Sequence, residues 1–187
     1  MGRLPSQVDA NRPEQGVAPD MKFQTAAGAA ALVVTATATL IGPPVVSAEP
    51  VAPQPDTPCS ESLAGALTQL PDLKTVLQCR NQQSGEYRWQ SFGSPYPNSD
   101  RWLTYGPQLI LHGEGQPNRE IDSGDWTAYP QASGGQCTAK QQAVIRAGEL
   151  SRPQVSTGEP GQPLNLRVLP LLFTIELTGY CLWQKVQ

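Results

Sequence analysis

The spacing of apolar residues changes along the chain and divides it into three parts. Apolar and small residues follow one another without a break from Ala26 to Ile41, and Gly42 then ends the run. From 60 to 77 apolar residues recur at spacings of three and four, whereas from Gly85 onward they alternate with polar residues. The first spacing is typical of helices and the second of half-buried strands. The pattern predicts an export or membrane segment, a short helical unit and a β-rich remainder.

The apolar run fits a signal peptide better than a membrane helix. A bilayer-spanning helix needs about 20 apolar residues, whereas a signal-peptide core needs roughly 7 to 15. Val46 and Ala48 are residues that signal peptidase accepts before a cleavage site, so cleavage after Ala48 would leave Glu49 first. We predict a signal peptide over 21–48, with translation starting at Met21 and a polar extension over 1–20. An uncleaved membrane anchor is the alternative.

The predicted mature chain begins with a spacer. Residues 49–58 hold four prolines, which predicts an extended, semi-rigid segment. Residues 59–187 have the length of one domain with its own core. In that domain Ser60 can cap a helix whose apolar face includes Leu63 and Leu67, and Pro71 interrupts it. Cys59 and Cys79 bracket this segment, so a disulfide between them would staple a small helical hairpin.

Two late segments alternate between apolar and mostly polar positions and place two cysteines on apolar faces. In CTAKQQAVIRA the face that starts with Cys137 is apolar, and in LLFTIELTGYCLW the apolar face includes Cys181. Antiparallel strands would bring these two cysteines together on the core side. We therefore predict the disulfides Cys137–Cys181 and Cys59–Cys79, out of three pairings that four cysteines allow.

Turn residues and alternation together predict the fold class. The chain from residue 49 onward contains 14 prolines and 13 glycines, and no long helices alternate with its strands. These features favour a mainly β fold, an antiparallel β-sandwich or small barrel preceded by the short disulfide-stapled helical segment.

Charge and composition exclude several classes of function. Residues 1–48 hold three acidic and three basic side chains, so the predicted mature chain keeps the net charge of −3. Basic residues do not cluster, so neither nucleic acid nor an anionic membrane surface is an expected partner. An even number of cysteines in an exported chain indicates disulfides. With no CxxC and no Cys/His cluster, we expect neither a metal nor another cofactor.

His112 is the only histidine, and any serine or cysteine nucleophile with a histidine base would have to use it. It ends the apolar segment LILH, and no G-x-S-x-G motif is present. We predict a structural or surface role for His112 and no catalytic residues.

One segment is rich in carboxylates and offers the alternative of an enzyme. Its acidic residues are Glu114, Glu120, Asp122 and Asp125. Two carboxylates held about 5 to 9.5 Å apart can hydrolyse a glycosidic bond. Asp122 and Asp125 could also bind a ligand or calcium, although their spacing does not fit a calcium loop. A solvated hairpin turn is the competing interpretation.

Aromatic residues provide a second set of candidate binding residues. Aromatic faces on a sheet bind sugars or extended peptides in many exported modules. The segment DWTAYP looks like a polar loop, which predicts exposed Trp126 and Tyr129. The candidate binding residues are Trp126, Tyr129, Trp102, Tyr105, Asp122 and Asp125. Core packing is the other explanation for such aromatic residues.

The motifs EPVAPQPDTPC and GDWTAYP…QCTAKQ…GEPGQPL…FTIELTGYCLW follow the Ala-rich export segment. Together with that segment, these motifs make the chain resemble small secreted proteins of unassigned function from mycobacteria and related actinobacteria. The resemblance covers most of 59–183. It implies export to the cell envelope or the medium, and it implies neither a specific activity nor a functional residue.

The sequence thus favours an exported, non-enzymatic binding or structural protein of the cell envelope or extracellular space. Its partner would be an envelope component, whether protein, glycan or lipid. The first alternative is a hydrolase of envelope polysaccharide that uses carboxylates near 114–125. The second is a small-barrel carrier of an apolar ligand.

Overall fold

Ten strands and a single 3-10 turn make up the regular structure of residues 50–187, which are the residues that the computed structural model describes. The elements are, in chain order, the 3-10 turn Glu61–Leu63, β1 (Leu67–Gln69), β2 (Val76–Asn81), β3 (Tyr87–Ser91), β4 (Arg101–His112), β5 (Gly124–Pro130), β6 (Thr138–Arg146), β7 (Glu149–Leu150), β8 (Gln154–Thr157), β9 (Leu164–Val168) and β10 (Leu172–Lys185). The predicted signal peptide and the extension before it lie outside these residues.

All the strands join one sheet that forks at β10. The main order is β3-β2-β1-β4-β10-β5-β9, and β6 also pairs with β10 and carries β7 and β8. One edge of β10 pairs with β4 along most of its length; on the other edge 172–178 pair with β6 and 181–185 with β5. Every pairing is antiparallel except β1 with β4, so the sheet is mixed.

Gly179 stands at the fork between these two halves of β10. Its φ is +95°, and a Cβ there would overlap the carbonyl oxygen of Gln136. Only glycine meets both conditions at low energetic cost, because other residues rarely adopt positive φ and all carry a Cβ. This residue therefore lets the start of β6 approach β10 closely enough for the adjacent disulfide.

The main core lies between the two arms of the fork. Most of its members come from β4, β5, β6, β9 and β10, Leu67 of β1 and Ile121 join them, and the cluster includes three buried tryptophans. Each indole N–H donates a hydrogen bond: Trp102 to Glu120 O (3.1 Å), Trp126 to Asp122 O (3.0 Å) and Trp183 to Thr104 Oγ1 (3.1 Å). The three large indole rings therefore fill the main core while their N–H groups keep hydrogen-bond partners.

A second core lies on the opposite face of the sheet. It contains Leu77, Trp89, Leu103 and Leu182, and the chain before β1 covers it. Residues 50–58, here called the strap, lie beside β3. Asp56 N donates to Trp89 O (2.7 Å) and Trp89 N to Thr57 O (2.9 Å). The segment predicted as a spacer is thus hydrogen-bonded to the sheet at Asp56 and Thr57.

The predictions of a mainly β fold and of both disulfides are confirmed. Cys59–Cys79 and Cys137–Cys181 are both bonded, and each has a Cα–Cα distance of 6.0 Å. Cys137 and Cys181 are fully buried, as expected for cysteines on the inward faces of β6 and β10. The small barrel is not found, because the sheet forks instead of closing on itself.

The predicted helical segment is wrong. Gly65, with φ +78°, follows the short 3-10 turn, and β1 begins two residues later. Pro71 does not interrupt a helix; it lies in the turn between β1 and β2, where Asp72 Oδ1 accepts hydrogen bonds from Lys74 N (3.0 Å) and Thr75 N (2.9 Å). Among the apolar residues that suggested a helical stripe, Leu67 pairs across the β1–β2 hairpin and enters the main core, whereas Leu63 and Leu77 enter the second core.

Candidate functional site

Only one of the four aromatic candidate residues is exposed. Trp102, Tyr105 and Trp126 are buried, whereas Tyr129 is 43% exposed. The hydroxyl of Tyr105 donates to Gln69 O (3.0 Å), and burial together with the charge of Asp72 raises the pKa of Tyr105. These three buried rings support the sheet and cannot form an exposed aromatic surface.

The prediction that Trp126 is exposed is wrong because DWTAYP is a strand and not a loop. In β5 the side chains of Trp126 and Ala128 point into the main core. Successive side chains of a strand point to opposite faces, so Asp125, Thr127 and Tyr129 share the outward face. The prediction of an exposed Tyr129 is correct.

The outward face of β5 continues into its neighbours β9 and β10. By register, Thr127 lies between Asn165 of β9 and Gln184 of β10, and Thr127 Oγ1 donates to Asn165 Oδ1 (2.8 Å). Tyr129 lies opposite Leu182 on the same face. We call the surface formed by Tyr129, Thr127, Asn165 and Gln184 the ladder face.

Charged groups border the ladder face on one side. Asp125 lies opposite Arg167, and Arg167 Nη1 is 3.8 Å from Asp125 Oδ1. Both side chains are largely exposed, so this pair contributes little to stability. It places one donor and one acceptor group at the edge of the polar row.

Two depressions occur along this surface and share Val186 as a wall. One, of about 230 Å³, is lined by Thr127, Tyr129 and Gln184 together with 185–187. The other, of about 330 Å³, lies over Asp125, Asn165 and Arg167. Val186 N donates to Asp125 O (2.8 Å), which fixes the dividing wall to β5.

Arg101 extends the polar row to β4, where it lies opposite Gln184. Its Nη1 donates to Ala64 O (2.8 Å) and its Nη2 to Ser62 O (2.7 Å). Its Nε is the one buried side-chain nitrogen or oxygen among residues 50–187 that has no hydrogen-bond partner. Arg101 thus ties the 3-10 turn to the sheet.

The carboxylates near 114–125 each bind a different set of partners. Glu120 Oε2 lies 2.8 Å from His112 Nδ1 and accepts a hydrogen bond from His112 N (2.9 Å). Glu114 Oε1 accepts from Ser123 Oγ (3.0 Å). Asp122 pairs with Arg119 Nε (2.8 Å) and with Lys185 Nζ (3.7 Å), and Asp125 pairs with Arg167.

These contacts hold the connection between β4 and β5. Glu120 N and Ile121 N both donate to His112 O, which folds the loop back on the end of β4. Hydrolysis by a carboxylate pair needs one protonated and one ionised group that face the same bond. The carboxylates here instead bond to cationic side chains, to the hydroxyl of Ser123 and to a backbone amide. These contacts hold the loop in its conformation.

The described part of the chain has neither a cluster of metal ligands nor a membrane-spanning helix. Residues 50–187 contain no group of three or more His, Cys, Asp or Glu side chains placed to hold a metal ion. In the same residues no helix is long and apolar enough to cross a membrane. The two disulfides indicate an oxidising, extracytoplasmic environment.

Three residues of the ladder face are absent from the sequence-based candidates: Thr127, Asn165 and Gln184. Part of the signal was available, because Asn165 and Arg167 alternate with Leu164, Leu166 and Val168 in a half-buried strand pattern.

Comparison with known protein families, with curated proteins and with solved structures finds no match for this chain.

Proposed function

We propose that this protein is an exported, non-enzymatic binding protein of the cell envelope or extracellular space, and that it recognises a glycan with its ladder face. The single observation that carries the proposal is an exposed Tyr129 ring next to the amide side chains of Asn165 and Gln184, which the paired strands place on either side of the buried Thr127. The two disulfides support export, because such bonds persist in oxidising compartments.

The chemistry of the ladder face suits a ligand that is rich in hydroxyl groups. A tyrosine ring offers an apolar face against which the C–H groups of a sugar ring can pack. The amides of Asn165 and Gln184 each offer both donors and acceptors, as alternating sugar hydroxyls require. The strands fix these groups about 4.8 Å apart, so little conformational entropy is lost on binding.

Binding is a better proposal than hydrolysis for this arrangement. The carboxylates that would have to act as acid and base are bonded within the β4–β5 connection. Tyr129, Asn165 and Gln184 supply recognition groups and no nucleophile or base. A role as a barrel-type carrier loses its basis because three tryptophans fill the main core.

A retention assay on insoluble polysaccharides tests this proposal. We would measure retention of the full chain on peptidoglycan, cellulose, chitin and xylan, with Tyr129→Ala and Tyr96→Ala as a matched pair. Both tyrosines are exposed, at 43% and 59%, so neither substitution should change folding much. Loss of the packed ring should cost about 1 kcal/mol, which weakens binding about fivefold.

We expect saturable retention on at least one polysaccharide, weakened by Tyr129→Ala and by Gln184→Ala but not by Tyr96→Ala. Retention that both tyrosine substitutions reduce equally would place the glycan site elsewhere. Absence of retention on the whole panel would overturn the proposed glycan ligand.

A further inference from the structure

A line of three depressions runs along the face of the sheet that carries the second core. The first, of about 400 Å³, lies between the strap and a floor that includes Leu63, Trp89, Leu103 and Tyr180. The second, of about 470 Å³, is lined by Pro50, Ala52, Pro71 and 105–107. The third is a narrow pocket of about 30 Å³ between the β1–β2 turn and β4.

Shared walls connect the three depressions. Ala52 of the strap belongs to both larger depressions, and Pro71, Tyr105 and Pro107 belong to the second and the third. We call the resulting elongated surface the uncharged track, because none of its lining residues is charged. A lining without charged side chains offers no partner to a charged ligand group, and burying an unpaired charge is costly, so this surface suits a neutral ligand.

The walls of the track are mostly apolar, and one end of the strap is held in place. Backbone hydrogen bonds to β3, Arg88 Nη1 donating to Asp56 O (2.8 Å) and the disulfide at Cys59 fix the strap from Asp56 to Cys59. This fixed end forms one side of the first depression. Exposed Val51 and Leu73 lie along its rim and add apolar surface for a ligand to cover.

The track lies across a sheet face and not along a sheet edge, which decides between an acyl chain and an extended peptide. Backbone N–H and C=O groups in a sheet interior already bond to neighbouring strands, so they cannot pair with a peptide laid across the face. The strap contributes prolines, which lack an N–H group. A peptide here would bury unpaired amides, whereas an acyl chain has none.

We propose that the uncharged track binds the acyl chain of a neutral lipid. Its larger depressions fall within the size range of small-molecule sites, about 300 to 1,000 Å³. The ligand lies over the strap side of the second core, whose Trp89 is only 4% exposed, and passes Ala52 towards Pro71. This site is separate from the ladder face and does not depend on glycan binding.

Quenching of tryptophan fluorescence by a brominated lipid tests the proposal. The probe is the glycerol monoester of 9,10-dibromostearic acid, used below the concentration at which it aggregates, with the unbrominated ester as control. Bromine quenches indoles on contact. Of the four tryptophans only Trp89 lines the track, the other three are in the main core, and 1–49 contain none.

We expect saturable quenching in the full chain and its loss in Trp89→Phe. Ala52→Asp places a carboxylate at the shared wall and should raise the half-quenching concentration at least tenfold, whereas Ala147→Asp, in an exposed turn, should not change it. Near-ultraviolet circular dichroism of each variant checks that it is folded.

Three results would overturn the proposal. The first is equal quenching in the full chain and in Trp89→Phe. The second is an unchanged half-quenching concentration in folded Ala52→Asp, and the third is quenching that never saturates. Tyr129→Ala should leave the quenching curve unchanged, so failure of the lipid site and failure of the glycan site can be told apart.

Discussion

Replacing Cys137 and Cys181 together by alanine removes the covalent link between β6 and β10 and should strongly destabilise the protein. The two cysteines are 44 residues apart. The loop-closure entropy that such a link removes from the unfolded chain corresponds to about 4 kcal/mol at 25 °C. Both side chains are fully buried, and losing each sulfur from a packed core adds about 1 kcal/mol. Natural domains are stable by about 5 to 15 kcal/mol, so the expected loss is a large fraction of the stability of a typical domain.

Urea unfolding followed by tryptophan fluorescence measures this effect. The three tryptophans of the main core lie in the same cluster as the disulfide and report its unfolding. We expect a lower midpoint and a steeper urea dependence, because the unlinked chain exposes more surface when it unfolds.

The matched control replaces Cys59 and Cys79 by alanine. These residues are 20 apart, so the entropic contribution is about 3 kcal/mol, and Cys59 is only partly buried. We expect the smaller loss of stability in this variant. A free energy of unfolding that falls by less than 1 kcal/mol in the first variant would refute the reasoning.

Two further predictions rest on the structure and a third rests on the sequence. Gly179→Ala should cost about 2 to 4 kcal/mol in urea unfolding because of its positive φ and the backbone overlap, and Gly93→Ala, which has open space, should cost less than 1 kcal/mol. Hydrogen bonds from Thr75 and then Lys74 lower the pKa of Asp72 to about 2. The stabilising contribution of the ionised Asp72 carboxylate is therefore complete above the ordinary pKa of an aspartate and is lost as pH falls through about 2. In an NMR titration, Thr75→Ala should raise the pKa of Asp72. N-terminal sequencing of the exported form should begin at Glu49, and a full-length product held in membranes would contradict the predicted signal peptide.

The sequence predicts best where an element is long and alternates regularly. β10 has 14 residues, and its alternation places Cys181 and Trp183 correctly on the inward face. The alternation fails at the start of this strand, where Leu172 and not Phe173 is buried. A register shift between Leu172 and Thr174 causes the difference. Such a bulge arises from packing between strands, which single-sequence periodicity does not contain.

The helical prediction failed for a different physical reason. Short apolar runs fit a helix and a hairpin equally well, and long-range pairing decides between them. Ala66 O accepts from Cys79 N (3.0 Å), and Leu67 pairs with both β2 and β4. A turn of 3-10 helix satisfies only local hydrogen bonds, so the paired strands replace the predicted helix.

The ladder face could not be predicted as a unit because its residues come from distant parts of the chain. Thr127, Asn165 and Gln184 become neighbours only through the order of β9, β5 and β10 in the sheet. Tyr129 is the one member that the sequence also suggested, on the wrong premise that DWTAYP is a loop; its exposure follows instead from its place on the face of β5 opposite Trp126 and Ala128. The sequence therefore identifies single residues of this surface, while the topology assembles them.

One strand carries residues of both proposed sites. On the face of β10 that carries the second core, three side chains follow one another at every second position. Tyr180 lines the uncharged track, Leu182 is buried in the second core, and Gln184 belongs to the ladder face. Four residues of strand span about 13 Å, so substitutions at the two sites should have additive effects. If Ala52→Asp weakened glycan retention, or Tyr129→Ala weakened lipid quenching, the two surfaces would be coupled. The buried Leu182 lies between them and would be the contact through which that coupling passes, because it packs in the second core and pairs with Tyr129.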